Sequence, residues 1–366
     1  MADFTDQDRA HMARAIELAA RGLYGAHPNP MVGCVIVRDE EVVGEGFHER
    51  FGEAHAEVNA LREAGDDATG ATVFVTLEPC AFHGKTPACA ELLAAAGVGR
   101  VVAAMEDPHE RVSGAGFKIL RAAGIDVEVG LLQSQAEALN RGFLKLQRTG
   151  IPFVRLKIAA SLDGCVAMAN GQSQWITGPE ARDDVQRLRA RADAILTGIG
   201  TVLADDPSLT VRAAELADDA RQPVRAVVDS KLRMPKSARM LDLPGETQVF
   251  CVDASNREGL EAAGATVVET AALAGQVNLE LVLQTLGANG AIEVLVEAGP
   301  GIAGALVDAN LVDELVIYQA PHIMGSETAP MLHTPNWQAL SDRRELDIVE
   351  RTPVGRDLRI TARIDS

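Results

Sequence analysis

The feature that most constrains this fold is a histidine and two cysteines that together could hold one metal ion. They are His55, Cys80 and Cys89, and Glu57 follows the histidine by two residues. One imidazole and two thiolates suit tetrahedral zinc, and three protein ligands leave a fourth position open for water, as in catalytic sites. His55 precedes a run of helix formers that stops at Gly65, and residues 72–77 read as a strand leading to Cys80. The ligands are therefore expected at helix starts beside strand ends, which indicates an α/β fold.

Each of these residues alone is usually inert, because free cysteines commonly pack as small hydrophobic side chains. The combination favours catalysis. A metal lowers the pKa of its bound water, and a carboxylate that does not ligate the metal can move the water's proton. Zinc deaminases have this arrangement with two residues between the cysteines, whereas eight separate Cys80 from Cys89, so the pattern predicts a variant zinc deaminase.

Length and composition predict two globular domains. The chain has 366 residues, beyond the usual size of one core, with 47% hydrophobic and 23% charged residues. No run approaches the eighteen or so apolar residues of a membrane helix, and the acidic N-terminus does not resemble a signal peptide, so a cytoplasmic protein is expected. The five scattered cysteines do not suggest a disulfide framework.

The net charge of −18 bears on partners. Nucleic-acid binding relies on basic patches that displace counterions from phosphates, and this chain has no basic run. A small, soluble substrate is therefore favoured, with no nucleic-acid or membrane partner.

Hydrophobic periodicity predicts two consecutive α/β patterns, divided at residues 149–152 where glycine and proline mark a helix-to-strand change. In the first half it predicts helices at 6–22, 56–64, 87–96, 116–123 and 134–147, and strands at 31–37, 40–47, 72–77, 100–105 and 125–129. In the second half it predicts a helix at 179–192, an exposed excursion at 213–222, and strands at 153–160, 194–197, 224–228, 249–252 and 292–296.

A glycine-rich turn, Glu297-Ala298-Gly299-Pro300-Gly301, joins the last of these strands to a predicted helix at 302–309. Backbone N–H groups at such a helix start can bind phosphate, although a plain turn is the alternative and the Rossmann fingerprint is missing. Segments 161–164 and 200–207 also place hydroxyls and carboxylates at strand ends, and each could instead be a simple turn or helix stop. Single arginines such as Arg189 and Arg212 are usually solvated.

With these motifs the sequence resembles the bacterial bifunctional deaminase/reductase family of riboflavin biosynthesis over nearly its whole length. The matching segments are residues 27–33, 52–57, 76–80, 83–87 before Cys89, Lys157, 161–164, 173–177, 201–207, 209–212 and 297–301. The departures are Ala81-Phe82 and Pro87-Ala88 in the deaminase half and Ala298 in the reductase loop; none removes a zinc ligand.

The resemblance implies a cytidine-deaminase-like α/β/α domain at 1–149 and a dihydrofolate-reductase-like α/β domain at 150–366. The first would be a zinc-dependent pyrimidine deaminase acting on 2,5-diamino-6-(5-phosphoribosylamino)pyrimidin-4-one. The second would use NADPH to reduce the ribosyl group of the product to ribityl phosphate. The family also implies a homo-oligomer, a dimer or tetramer.

It further implies roles for individual residues. Zinc would be held by His55, Cys80 and Cys89, with Glu57 as the proton shuttle. The pyrimidine or its phosphate in the deaminase would be contacted by Asn29, His48, His83 and Lys85. Substrate in the reductase would be contacted by Lys157, Ser173, Arg189, Leu209, Arg212 and Glu297. NADPH would be contacted by Ala159, Trp175, Thr201, Asp205, Gly299, Pro300, Gly301, Ile302, Ala303, Gly304 and Ala305.

Two alternatives remain open at this stage. One is a tRNA adenosine or cytidine deaminase with an unrelated second domain, against which the acidic charge and the reductase-like half both count. The other is a non-catalytic zinc-binding scaffold, which would have no use for Glu57.

Overall fold

The computed structural model describes residues 4–82, 87–109, 113–213, 221–335 and 337–364. The chain divides into two compact units, residues 1–149 and 150–366. The predicted substrate residues His83 and Lys85, and most of the predicted excursion at 213–222, lie outside the described part. Within the described residues, no helix has both the length and the apolar character needed to cross a bilayer.

Unit one is an α/β layer built on one five-stranded sheet. Its helices are α1 (Asp6–Ala20), α2 (Ala56–Ala64), α3 (Cys89–Ala95), α4 (Ala115–Ala122), α5 (Gln133–Leu139) and α6 (Arg141–Thr149). Its strands are β1 (Gly33–Arg38), β2 (Glu41–Phe47), β3 (Thr72–Val75), β4 (Arg100–Ala103) and β5 (Asp126–Val129), in the order β2-β1-β3-β4-β5. Strands β3, β4 and β5 are parallel, so the loops after β3 and β4 leave the same edge of the sheet.

The start of α2 is held against β2 by a close approach of backbones. A Cβ atom at Gly46 would lie 2.3 Å from the carbonyl oxygen of Ala56, which no side chain could tolerate. Glycine in β2 therefore lets the first turn of α2 lie directly on the strand. This contact fixes His55, the residue that caps α2.

The single helix predicted at 134–147 is wrong. The helix is interrupted at Asn140, which separates α5 from α6. The Asn140 side chain is buried, accepts a hydrogen bond from the Met31 N–H and donates one to the Met31 carbonyl, both at 2.8 Å. Two bonds to a distant segment outweigh continuation of a regular helix at this residue.

Unit two is built on a nine-stranded sheet with the order β11-β10-β9-β8-β14-β6-β15-β18-β17. Its larger strands are β6 (Phe153–Ser161), β8 (Ala194–Gly198), β9 (Val224–Val228), β10 (Thr247–Cys251), β11 (Thr266–Glu269), β14 (Glu293–Val296), β15 (Glu314–Ala320), β17 (Leu346–Val354) and β18 (Asp357–Ile364). Short strands are β7 (Cys165–Ala167), β12 (Ala272–Leu273), β13 (Gln276–Val277) and β16 (Ala329–Pro330). Its helices are α7 (Pro179–Arg191), α8 (Ile199–Asp205), α9 (Glu258–Glu261), α10 (Leu279–Ala288) and α11 (Pro300–Asp308).

The five strands predicted in this half correspond to β6, β8, β9, β10 and β14, and the α/β fold class is confirmed for both halves. The first seven strands in this order, from β11 to β15, are parallel to one another. Strand β18 pairs antiparallel with β15, and β17 pairs antiparallel with β18. The carboxyl ends of the parallel strands therefore meet at one edge, the usual position of ligand sites in such sheets.

The opposite edge is closed by a buried ion network. Arg155 at the start of β6 donates to Glu293 of β14 at 3.0 Å and to Glu314 of β15 at 2.5 Å. Arg191 at the end of α7 binds the same Glu293 through two nitrogens, at 2.6 and 2.7 Å. These four side chains pair with one another at the edge opposite the carboxyl ends of the parallel strands. Their role is therefore structural.

Candidate active sites

In unit one the structure brings His55, Cys80 and Cys89 together. His55 has extended backbone as the cap of α2, Cys80 lies in the loop after β3, and Cys89 is the first residue of α3. The His55 Nδ1 atom lies 3.3 Å from the Cys89 sulfur and 3.6 Å from the Cys80 sulfur. These are the three residues predicted as metal ligands, drawn from three separate segments.

The donor set fits zinc. All three ligand atoms lie within 4.8 Å of one another. Ligands about 2.0 to 2.3 Å from a tetrahedral ion are separated by roughly 3.5 Å, which matches the nitrogen-to-sulfur distances here. Three protein ligands of this kind leave a fourth position, as catalytic zinc sites require.

The two thiols have different environments. Hydrogen bonds from Cys89 and His55 lower the pKa of Cys80 far below the usual thiol range, whereas the hydrogen bond to Cys80 and burial raise the pKa of Cys89. The Cys89 backbone N–H also donates to the Cys80 sulfur at 3.2 Å. Metal binding at this pair would release a proton, as expected for thiol ligands.

Glu57 lies in the first turn of α2 and is only 3% exposed. Burial and the negative charge of Cys80 raise the pKa of Glu57 to about 7, and its carboxyl is hydrogen-bonded to Cys89. A carboxyl with a pKa near neutrality can both accept and donate a proton at physiological pH.

His48 is buried, and both of its ring nitrogens are occupied. Nδ1 faces the Ala54 carbonyl oxygen at 3.1 Å, so Nδ1 carries the proton, and Nε2 accepts from the Asn29 side-chain amide at 3.1 Å. Desolvation lowers the pKa of His48, which keeps the ring neutral. The predicted contact of His48 with the pyrimidine stays a prediction, and in the structure its ring nitrogens are bonded to Ala54 and Asn29.

Sequence reasoning missed two acidic residues near this site, Glu78 and Asp107. Both are buried. Desolvation raises the pKa of Asp107 to about 6, with smaller contributions from Glu78 and Cys80. The position of Glu78, two residues before a predicted ligand, was the available signal.

In unit two, the carboxyl ends of the parallel strands border a cavity of about 1360 Å³. This is larger than the roughly 300 to 1000 Å³ usual for one small ligand, so it has room for two. The lining includes seven Lys or Arg residues against four Asp or Glu residues, although the whole chain has a net charge of −18. The excess of positive charge suits phosphorylated ligands.

A buried ion cluster forms part of the lining of this cavity. Glu297, at the end of β14, binds Arg189 of α7 through two bonds of 2.6 and 3.0 Å and contacts Lys157 of β6 at 3.5 Å. Burial alone would raise the pKa of Glu297, but the two cations outweigh it and hold the pKa at about 2. The cluster brings together three residues that the sequence predicted at the substrate site.

Arg212 lines the same cavity and donates to the Thr210 hydroxyl at 2.9 Å. Desolvation lowers the pKa of Arg212, and the positive charge of Arg189 lowers it further because the two guanidinium groups repel each other. An anion bound between them would remove this repulsion. Leu209, by contrast, is 4% exposed and packs in the core beneath the cavity, so only its backbone and a small part of its side chain border the site.

A second group of predicted residues forms the rim. Trp175 is 69% exposed and packs under the Arg182 guanidinium, whose carbon lies 4.5 Å from the ring centre. Asp205 accepts hydrogen bonds from Ser173 at 3.5 Å and Gln174 at 3.1 Å, which ties this segment to the end of α8. The cavity is also lined by Ala159 and Thr201.

The glycine-rich turn is confirmed as a strand-to-helix junction, but the helix begins earlier than predicted, at Pro300 with Gly299 as its cap. The lining includes Gly299, Pro300, Gly301 and Ile302. A Cβ atom at Gly301 would meet nothing within 4 Å, so this part of the turn borders open space.

The predicted cofactor contacts of Ala303, Gly304 and Ala305 stay a prediction, and these three residues are not among those that line the cavity. Ala303 is buried in the core, and Gly304 lies against the backbone of His333, whose oxygen would be 1.9 Å from an added Cβ. Ala305 is exposed further along α11.

Sequence reasoning also missed lining residues contributed by β9 and the segments after it, namely Ser230, Lys231, Arg233, Arg239 and Gln276. The available signal was two cations directly after a strand, in a sheet whose parallel strands end at one edge.

Comparison with known proteins identifies both halves. Residues 5–105 match the family of cytidine and deoxycytidylate deaminase zinc-binding regions, and residues 152–358 match the RibD C-terminal domain. The riboflavin biosynthesis protein RibD of Escherichia coli is 50% identical over 361 residues, covering 96% of this chain and 98% of that protein. The Haemophilus influenzae protein of the same name is 44% identical, covering 99% and 98%.

Solved structures agree. Acinetobacter baumannii RibD superposes with a TM-score of 0.92 at 43% identity, covering 98% of this chain and 99% of that one. A Thermotoga maritima diaminohydroxyphosphoribosylaminopyrimidine deaminase/5-amino-6-(5-phosphoribosylamino)uracil reductase gives 0.87 at 32% identity, with the same coverage. The chain therefore belongs to the RibD family, the bifunctional deaminase/reductases of riboflavin biosynthesis.

Proposed function

We propose that unit one deaminates 2,5-diamino-6-(5-phosphoribosylamino)pyrimidin-4-one and that unit two reduces the ribosyl group of the product with NADPH. The observation that carries the deaminase assignment is the convergence of His55, Cys80 and Cys89 beside the buried carboxyl of Glu57. A zinc ion held by these three residues would supply an activated water to the pyrimidine ring.

The protein's own contribution to deamination is proton transfer and orientation. Glu57 would accept a proton from the attacking water and give it to a ring nitrogen, and would then accept a second proton from the hydroxyl added to the ring carbon and give that one to the departing amine. Its pKa of about 7 suits both directions of transfer. Asn29, held by His48, presents its amide for hydrogen bonding to the pyrimidine.

In unit two we assign NADPH to the part of the cavity bordered by Thr201, Asp205 and the turn at 299–302. Bound NADPH would supply the hydride. The backbone at the start of α11 faces this space, and N–H groups at a helix start favour phosphate. The basic residues at the rim support NADPH over NADH, because its additional phosphate adds negative charge.

The sugar phosphate is assigned to the neighbourhood of Arg189 and Arg212. Glu297 fixes the Arg189 fork, and the anion would lie where the two guanidinium groups repel each other. Lys157, which lies 3.5 Å from Glu297, would donate a hydrogen bond to a sugar oxygen during reduction.

We further propose a cytoplasmic homo-oligomer. Support for self-association comes from β17, the outermost strand of the large sheet, which exposes Leu346, Ile348 and Val349. An unpaired edge strand with exposed apolar residues is suited to pairing with another chain. Light scattering of the purified protein would give a dimer or tetramer; a monomer at micromolar concentration would contradict this.

The deaminase assignment is tested with Glu57→Gln. The variant should keep about one zinc per chain, measured by atomic absorption, and lose ammonia release by a factor of about 10² or more, since proton transfer supplies that much. Glu49→Gln, an exposed carboxylate outside the site, is the matched control and should behave as wild type. Full activity of Glu57→Gln would refute the role.

A further inference from the structure

Among the described residues, the buried Glu78 carboxylate is hydrogen-bonded to backbone N–H groups. It is 3% exposed and lies in the loop after β3. One oxygen accepts from the N–H groups of Asp107 at 3.2 Å and Gly114 at 2.9 Å. The other accepts from Gly116 at 2.9 Å and Phe117 at 3.4 Å. A single side chain thus joins this loop to the loop after β4 and to the start of α4.

The segment from Glu78 to Cys80 is also clamped sterically. A Cβ atom at Gly116 would lie 2.0 Å from the Pro79 carbonyl oxygen, so only glycine lets α4 approach this closely. The Glu78 N–H in turn donates to the Met105 carbonyl at 3.0 Å. Backbone and side chain together leave Glu78 and Pro79 little freedom.

This rigidity passes to both cysteines. Cys80 follows Pro79 directly. Its carbonyl accepts from the Ala90 N–H at 3.1 Å, and its sulfur accepts from the Cys89 N–H at 3.2 Å. These two bonds fix the start of α3 to the segment that Glu78 holds. The position of the Cys89 thiol therefore depends on that segment as well.

Both Glu78 oxygens are occupied by backbone N–H donors, which argues against a direct role in metal binding. A further negative charge near two thiolates disfavours them electrostatically, and a buried carboxylate is costly unless it is fully hydrogen-bonded. Four N–H donors and the positive end of the α4 helix compensate this cost. If Glu78 served only to cap α4, it would not need to lie two residues before Cys80, a proposed metal ligand.

We propose that Glu78 is a positioning residue for the metal site, which sets the separation of the Cys80 and Cys89 sulfurs by fixing the loop on α4. The inference rests on the proposed zinc site. It concerns a residue that touches neither metal nor substrate.

The test is Glu78→Gln in the full chain, because an amide keeps the size but replaces one acceptor oxygen with a donor that faces two N–H groups. Zinc affinity is measured by competition with a chromophoric chelator, and ligand geometry by the absorption bands of the cobalt-substituted protein. We expect affinity to fall about 10- to 100-fold, the usual effect of removing a partner that orients ligands, with altered thiolate-to-cobalt bands.

Asp8→Asn is the matched control. Asp8 is buried in the same unit and takes part in the capping box of α1, so this change destabilises the unit without touching the cysteine loops. Its melting temperature should fall while zinc affinity and the cobalt spectrum stay as in wild type.

Wild-type affinity and spectrum in Glu78→Gln would overturn the inference. If that variant does not fold, Glu78→Asp, which is too short to reach all four donors, takes its place with the same expected result and the same refutation. A wild-type protein that binds no zinc would instead refute the proposed function.

Discussion

The ion cluster around Glu297 makes a quantitative prediction about the stability of unit two. The Glu297 pKa of about 2 compares with 4.5 for an unperturbed glutamate. At 1.36 kcal/mol per pKa unit, the charged form is favoured in the folded state by about 3 kcal/mol. Because the folded pKa is the lower one, this stability is present above about pH 5 and is lost as pH falls toward 2.

Glu297→Gln should therefore lower the unfolding free energy of unit two by about 3 kcal/mol at pH 7, since two buried cations lose their partner. Between pH 7 and pH 3 the wild type should lose about 2 kcal/mol through this group, whereas the variant should not.

Urea unfolding followed by tryptophan fluorescence measures this directly, because the only two tryptophans, Trp175 and Trp337, both lie in unit two. Glu280→Gln, an exposed carboxylate on α10, is the matched control and should follow the wild type at both pH values. Equal pH dependence for wild type and Glu297→Gln would refute the reasoning.

Two further predictions concern unit two. Arg212→Ala should lower kcat/KM for reduction by about 10- to 100-fold, since a charge-assisted hydrogen bond to phosphate contributes about 1.5 to 3 kcal/mol, and should leave ammonia release unchanged; equal loss of both activities would indicate unfolding instead. Arg155→Met should destabilise unit two by about 3 to 5 kcal/mol in the same fluorescence assay, because it leaves the buried Glu293 and Glu314 carboxylates without this partner; unchanged stability would contradict the structural role of the network.

The grouping of His55, Cys80 and Cys89, the proposed zinc ligands, was predictable because each lies in a distinctive local sequence. His55 precedes a helix, Cys80 follows a strand, and Glu57 has a fixed offset from the histidine. The turn at 297–301 was predictable for the same reason, as glycines between a buried strand and a helix have few other uses.

Other parts of the site depend on distant contacts and could not be predicted in this way. His48 has its proton fixed by the Ala54 carbonyl and its second nitrogen occupied by Asn29, neither of which its own neighbours in sequence indicate. Lys231 and Arg233 look like surface charges until the parallel strands place them at the cavity. Strand β17 is largely exposed, so it lacks the apolar alternation that identifies a half-buried strand.

The most direct test of the central claim is to incubate the purified protein with the diaminopyrimidine ribosyl phosphate, with and without NADPH, and to identify the products by mass spectrometry. Without NADPH, the substrate should exchange one amino group for oxygen and go no further. With NADPH, the product should also gain two hydrogens. Absence of conversion under both conditions, or reduction without prior loss of ammonia, would contradict the account.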